Sequence, residues 1–123
     1  MQAKSVQVFI PGLVTKLPNR TRGEHWATRK KRSDMEKLVV TARLRGASPM
    51  PPDWLRTGFV LVSFTRFSSR KPDYDNLVAS FKAVQDATCA WLGRDDGDPE
   101  LMFRYQHSTG EKGVTIRLWR DPT

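Results

Sequence analysis

Residues 58–67, Gly-Phe-Val-Leu-Val-Ser-Phe-Thr-Arg-Phe, constrain this chain more than any other stretch. Apolar side chains fall on both phases of a period-2 alternation, so neither face is suited to water. Such a segment reads as a central strand with a neighbour on each side. The rest of the chain has to supply those neighbours. Val6, Val8 and Ile10 alternate with Gln7 and Phe9 over residues 5–10, and Pro11-Gly12 ends the run. Leu101, Phe103 and Tyr105 alternate, as do Val114, Ile116 and Leu118. Thr109-Gly110-Glu111-Lys112-Gly113 between these two runs reads as a hairpin turn.

Two segments switch to the helical period. From about Glu24 to Arg45, Met35, Leu38, Val39 and Ala42 fall at i, i+3, i+4 and i+7 and read as the buried stripe. Gly46 and the prolines at 49, 51 and 52 stop that helix. From about Asp75 to Trp91, the stripe is Leu77, Phe81, Val84, Thr88 and Trp91, with Gly93 as terminator. The order strand, helix, strand, helix, strand, strand predicts an α+β fold. It is a single domain over residues 1–123, with a mixed four-stranded sheet packed against two helices.

Composition narrows the function. The chain has 123 residues, 38% hydrophobic and 28% charged, which is the balance of a folded domain. One cysteine excludes an internal disulfide, and two histidines beside it are too few for a four-ligand zinc site. No apolar run approaches the ~20 residues of a membrane span, so no membrane partner is expected. Met1–Leu13 lacks the apolar core of a signal peptide. The net charge of +8 is segregated. Residues 16–45 hold ten basic and three acidic side chains; residues 71–100 hold three basic and seven acidic. A basic segment beside a compact acidic one suits a polyanion held near bound metal ions.

The acidic stretch is Arg70-Lys71-Pro72-Asp73-Tyr74-Asp75-Asn76-Leu77. Pro72 favours an extended conformation before it, and in an extended chain Asp73 and Asp75 point to one side. A hard cation such as Mg²⁺ would relieve their repulsion. The competing reading makes Asp75 a helix N-cap. Asp95-Asp96-Gly97-Asp98 follows the helix about 24 Å from its start. That cluster is either a further ligand source or an ordinary turn. Asp75, Ala79, Lys82 and Asp86 line one side of the helix. Lys82 would lean toward Asp75 and balance charge on a phosphate, or would simply be solvated.

Taken together, Lys71-Pro72-Asp73-Tyr74-Asp75-Asn76-Leu77, Lys82-Ala83-Val84-Gln85-Asp86-Ala87 and Asp95-Asp96 resemble the RusA-type Holliday junction resolvases. The resemblance implies an α+β homodimer that cleaves four-way DNA junctions with Mg²⁺, for which Mn²⁺ can substitute. It makes Asp73, Asp75 and Asp96 the metal carboxylates, with Asp95 as the alternative third ligand, and matches Asn76 to the family's asparagine. One departure is local. The family places its lysine two residues after the leucine, where this chain has Ala79, and Lys82 comes three residues later.

The basic half then has a role. Arg20, Arg22, Arg29, Lys30, Lys31 and Arg32, with Lys71 and Asn76 beside the acids, are the candidate DNA contacts. Trp26 either stacks on an exposed base or anchors the first helix in the core. The expected function is a metal-dependent endonuclease that resolves junctions by paired symmetric nicks. Asp73, Asp75, Asp96 and Lys82 are its catalytic residues, with Lys71 an alternative to Lys82. A nuclease on other branched DNA, or a basic DNA-binding module without catalysis, are the alternatives. The resemblance also implies a cytoplasmic protein of bacterial, phage or prophage type.

Overall fold

In the computed structural model, which describes residues 4–15, 17, 23 and 25–120, the chain runs β1 (Lys4–Pro11), α1 (Trp26–Ala47), α2 (Asp53–Arg56), β2 (Val60–Ser68), α3 (Tyr74–Ser80), α4 (Lys82–Leu92), β3 (Leu101–Thr109) and β4 (Gly113–Arg120). The stretch that is apolar in both phases is central, as its composition requires. β2 lies between β4, antiparallel to it, and β3, parallel to it, and β1 completes the order β1-β4-β2-β3. The fold is α+β with one mixed four-stranded sheet. Among the described residues, no helix is long and apolar enough to cross a membrane.

The link between β3 and β4 is not the hairpin that its turn residues suggest. β3 pairs with β2 alone, and β4 lies on the far side of β2. Residues 110–112 therefore cross the end of β2, a span of about 10 Å or two inter-strand spacings. Glycine makes the crossing close. A Cβ on Gly113 would stand 2.9 Å from the Ile10 carbonyl oxygen, and one on Gly110 would stand 3.5 Å from the Phe67 ring. Turn chemistry favours pairing of sequence neighbours, but burial of the most apolar strand overrides it.

A parallel pair needs a crossover of a dozen or more residues, and α3 and α4 supply it. The expected stripe is buried: Leu77, Phe81, Val84, Thr88 and Trp91 all face the core. The single helix expected there is nevertheless broken at Phe81, whose φ and ψ are −90° and 5°. The Ser80 hydroxyl donates to the Leu77 carbonyl at 2.7 Å, competing with the helical ladder. Phe81 then turns inward and stacks on Phe64 at 5.5 Å and Tyr105 at 6.1 Å.

α1 buries a different stripe from the expected one. Met35 and Leu38 are 55% and 66% exposed, and Ala42 is also outside, while Val40 and Leu44 are fully buried. The sequence offers two apolar stripes about a third of a turn apart. Docking against β1 and α4 selects the second, and the Trp91 indole N–H donates to the Ser48 carbonyl at 3.1 Å.

The connection from α4 to β3 hangs on Arg94, whose side chain is only 5% exposed. Its guanidinium donates to the carbonyls of Leu55 at 3.1 Å and Gly58 at 2.9 Å, and to Asp98 at 3.0 Å. Arg94→Ala is expected to cost about 3 kcal/mol in denaturant unfolding, because two backbone acceptors lose charged donors. The Glu100 N–H, and then Arg94, hold the Asp98 carboxyl below the usual carboxylate range. Its stabilising contribution is thus present above the unfolded-state pKa and lost as pH falls through the lowered folded value. The gap between wild type and variant should therefore narrow in acid.

Candidate active site

The inner face of β2 changes character along its length. Val60, Val62 and Phe64 are buried in the core, and the next two inward positions are Arg66 and Ser68. This polar end is the carboxyl end of the parallel β2–β3 pair, where open α/β sheets form their ligand crevices. Arg66 is 7% exposed. Its two terminal nitrogens donate to Ser68 Oγ at 3.0 Å and to the Thr15 carbonyl at 3.3 Å. Ser68 Oγ in turn contacts the Arg70 carbonyl at 3.0 Å and His107 Nε2 at 2.8 Å. The hydroxyl has one proton, so when the Arg70 carbonyl takes it, His107 presents an N–H at Nε2.

Above this network lies a cleft of about 440 Å³. Leu17 lines it from the β1–α1 connection, Lys71, Asp73 and Asn76 from the loop into α3, and Lys112 from the β3–β4 link. Asp73 occupies the N-cap position of α3, with extended dihedrals of −59° and 148°, yet its side chain makes no capping bond. Asp75 is already in the first helical turn and is exposed. The two carboxylates therefore do not project from one extended segment, as the sequence suggests, because the helix starts at Tyr74. Asp75 is not the N-cap either. Neither carboxylate accepts a hydrogen bond from the described residues.

A second groove, about 400 Å³, separates α1 from the α3–α4 break. Arg29 and Arg32 of α1 face Lys82 and Asp86 across it. Lys82 does not lean toward Asp75. Its ammonium is 3.8 Å from Asp86, which also lies 3.9 Å from Lys37. The break at Phe81 removes the continuous helix on which the other geometry depends. Lys30 pairs with Asp34 at 2.8 Å on the exposed face, and Lys31 is exposed. Trp26 is exposed and not a core anchor. His25 caps α1, its Nδ1 accepting from the Ala27 N–H at 3.2 Å. Arg20 and Arg22 lie outside the described residues.

The acidic loop is largely explained by turn chemistry. Asp95 accepts from the Gly97 N–H at 3.0 Å and Asp98 from the Glu100 N–H at 2.9 Å. That Gly97 bond, and then contact with Asp96, hold the Asp95 carboxyl below its ordinary range. Register sets the loop apart from the cleft. Leu101 pairs with Val60 and Thr109 with Ser68, so the nine residues of β2 lie between them, about 27 Å of strand. Among the described residues, no group of three or more His, Cys, Asp or Glu is gathered as a metal site. Asp96 is thus not brought together with Asp73 and Asp75. Tyr105 lies between the two regions. Burial raises its hydroxyl pKa, and the charges of Tyr74 and Asp96 raise it further.

No protein-family model matches the chain, and no curated protein matches it. The residues that sequence reasoning missed are Arg66, Ser68, His107 and Lys112. Arg66 carries a legible signal, a charge on the inward phase of a strand whose other inward residues are apolar. Lys112 carries none, because its position depends on the crossing over β2.

Cys89 takes no part in this site. Burial, and then Asp96 and Asp86, push its thiol up to about 11. At pH 8 only about one molecule in a thousand carries the thiolate. Iodoacetamide should label Cys89 far more slowly in the native protein than in guanidinium, a difference that mass spectrometry reads directly.

Proposed function

We propose that the protein is a Mg²⁺-dependent, structure-specific endodeoxyribonuclease of the RusA type, which resolves four-way DNA junctions by paired symmetric nicks. The observation that carries this reading is that Asp73 and Asn76, from the centre of the motif, line a basic cleft at the carboxyl end of the parallel strands. A pure DNA-binding module gains nothing from an unengaged carboxylate among phosphate-binding cations.

Asp73 and Asp75 fit Mg²⁺ in their chemistry. Both are oxygen donors without hydrogen bonds to the described residues, and Mg²⁺ is commonly held by one or two carboxylates plus waters and substrate phosphate. The bound ion supplies an acidified water and offsets charge on the attacked phosphate. Mn²⁺ has the same preference for oxygen. Asp96 joins the set through the family resemblance alone. Lys71, in the cleft with Asp73, is better situated than Lys82 to balance negative charge on the phosphate. Lys82, with Arg29 and Arg32, suits the flanking DNA backbone. Water adds to phosphorus and the bond to the 3′ oxygen breaks, leaving a 5′-phosphate and a 3′-hydroxyl. Symmetric nicking of two strands calls for two such sites, which a C₂ homodimer supplies. The resemblance sets the enzyme in the cytoplasm of a bacterium or a phage-infected cell.

Asp75→Asn tests the chemistry. Asparagine keeps the shape and removes the charge, so junction cleavage in Mg²⁺ should fall by orders of magnitude while junction binding in EDTA holds or tightens. Cleavage at the wild-type rate would make a non-catalytic binder the better reading. Cleavage of flaps and forks in preference to four-way junctions by the wild type would move the substrate to other branched DNA.

Arg29 and Lys31 are exposed on α1, so replacing both with Ala should leave the melting temperature unchanged. The slope of log K against log salt for junction binding should become shallower by about 2, one for each cation withdrawn from a phosphate. An unchanged slope removes this part of α1 from the DNA interface.

A further inference from the structure

We propose that the outward face of the sheet, the side away from the helices, is a platform for single-stranded DNA, with Arg104 and Arg117 as its phosphate contacts and Phe9 as a stacking surface for bases. The choice of DNA rests on the nuclease reading. The residues themselves are separate from the motif that suggests the activity and from the cleft.

The first support is the arrangement of the bare face. Side chains alternate between the two faces of a strand. The strand residues of the apolar core, Val8, Val62 and Ile116 among them, all belong to one phase, and Val40, Phe81 and Val84 of the helices pack with them. The opposite phase carries Phe9, Met102, Arg104, Gln106 and Arg117, all exposed. Register draws these residues into rows. Ser63 pairs with Arg104 on one side and Arg117 on the other, so two guanidiniums stand in one row, on strands about 10 Å apart. Leu61 pairs in the same way with Met102 and Trp119, which makes the adjacent row apolar. The Arg117 guanidinium lies 4.4 Å over the Trp119 ring. Toward the other end of the face, Phe9 meets Phe67 edge to face at 6.0 Å.

Charge is the second support, and it selects the occupant. None of the four strands contains an Asp or Glu. Neither Arg104 nor Arg117 makes an ion pair with the described residues. Gln106 adds donors: its Oε1 accepts from the hydroxyls of Ser63 and Thr65 at 3.4 Å each, which leaves its amide N–H groups for a ligand. A second copy of the chain is the poorer occupant. An isologous contact sets a face against itself, so arginines from both copies would be buried with no strand carboxylate to receive them, at a desolvation cost. A nucleic acid supplies the missing anions. Unpaired bases supply flat faces for Phe9 and for the plane of the Arg117 guanidinium. Paired bases keep those faces inside the duplex, so the ligand is single-stranded. The Phe67 end of the platform adjoins the cleft, because Ser68, the next residue of β2, lines that cleft. A strand leaving the cleft thus has a track over the end of the sheet onto its outer face.

The test uses the full chain in EDTA, with fluorescence anisotropy of a labelled oligothymidylate and of a blunt duplex of the same length. Arg104→Ala combined with Arg117→Ala should make the slope of log K against log salt for the oligothymidylate shallower by about 1.4, roughly 0.7 for each phosphate released. The duplex slope should not change. Phe9→Leu keeps apolar cover and removes the ring, so it should weaken oligothymidylate binding about tenfold at an unchanged slope. Should loss of the contact between Arg117 and Trp119 lower the melting temperature, Arg104→Ala alone, with an expected drop of about 0.7, decides. An unchanged oligothymidylate slope in the arginine variants overturns the platform, as does poly-glutamate that displaces the oligothymidylate as well as unlabelled oligothymidylate does. A change in mass by light scattering in the double variant, with oligothymidylate binding unaltered, makes the face a contact between copies instead. Wild-type junction cleavage in Mg²⁺ is scored separately. Cleavage with unaltered slopes in the variants rejects the platform and keeps the nuclease, whereas lowered slopes without wild-type cleavage reject the nuclease and keep the platform.

Discussion

Phe64 is the contact on which the arrangement turns. It is fully buried in the central strand and stacks on Phe81 at 5.5 Å, on Tyr105 at 5.9 Å and on Phe103 at 6.3 Å. Phe81 is the residue at which the crossover helix breaks, and Tyr105 and Phe103 belong to the parallel neighbour. One side chain thus joins the middle of the sheet to the bend of its crossover. Aromatic pairs in such offset arrangements add about 1 kcal/mol each beyond burial. The bend they hold ends α3 at Ser80 and starts α4 at Lys82.

Beyond Phe64 the same strand turns polar, and this division separates the apolar core from the cleft. On one side lie the core residues of α1, α4 and β4. On the other, Arg66, Ser68 and His107 form a hydrogen-bonded floor under a cationic cleft. Thr15 links the cleft to the groove beside α1. Its carbonyl accepts from Arg66, and its hydroxyl donates to Ser80 Oγ at 3.1 Å, next to the helix break. Cleft and groove therefore flank one short helix, and a buried polar chain fixes their separation.

Much of this fold was legible in the sequence, and the exceptions have identifiable causes. Period and composition marked the four strands, the central place of β2 and the buried face of the crossover, because each depends on local alternation. The link from β3 to β4 misled, since a glycine-rich turn between two alternating runs describes equally a hairpin and a passage over an intervening strand. α1 misled because its apolar residues support two stripes, and only the tertiary partners choose between Met35–Leu38 and Val40–Leu44. At the site, the motif singled out Asp73, Lys71 and Asn76, which do share a cleft. The expected side-by-side aspartates required an extended chain through residue 75, which the onset of α3 at Tyr74 denies.

The separation of Asp96 from the cleft follows from topology. In a parallel strand–helix–strand unit the chain leaves the first strand at its carboxyl end and enters the second at its amino end. The loops before and after the crossover helices therefore lie at opposite ends of the sheet. Asp73 belongs to the first loop and Asp96 to the last, and among the described residues Asp96 is not gathered with Asp73 and Asp75 into one cluster. The break at Phe81 redirects the helices without exchanging the ends. The charge of Asp96 is accordingly felt by Tyr105 and Cys89, which line the path between the loops. The carboxylate that lines the cleft is accordingly Asp73, beside Arg70, Lys71 and Lys112.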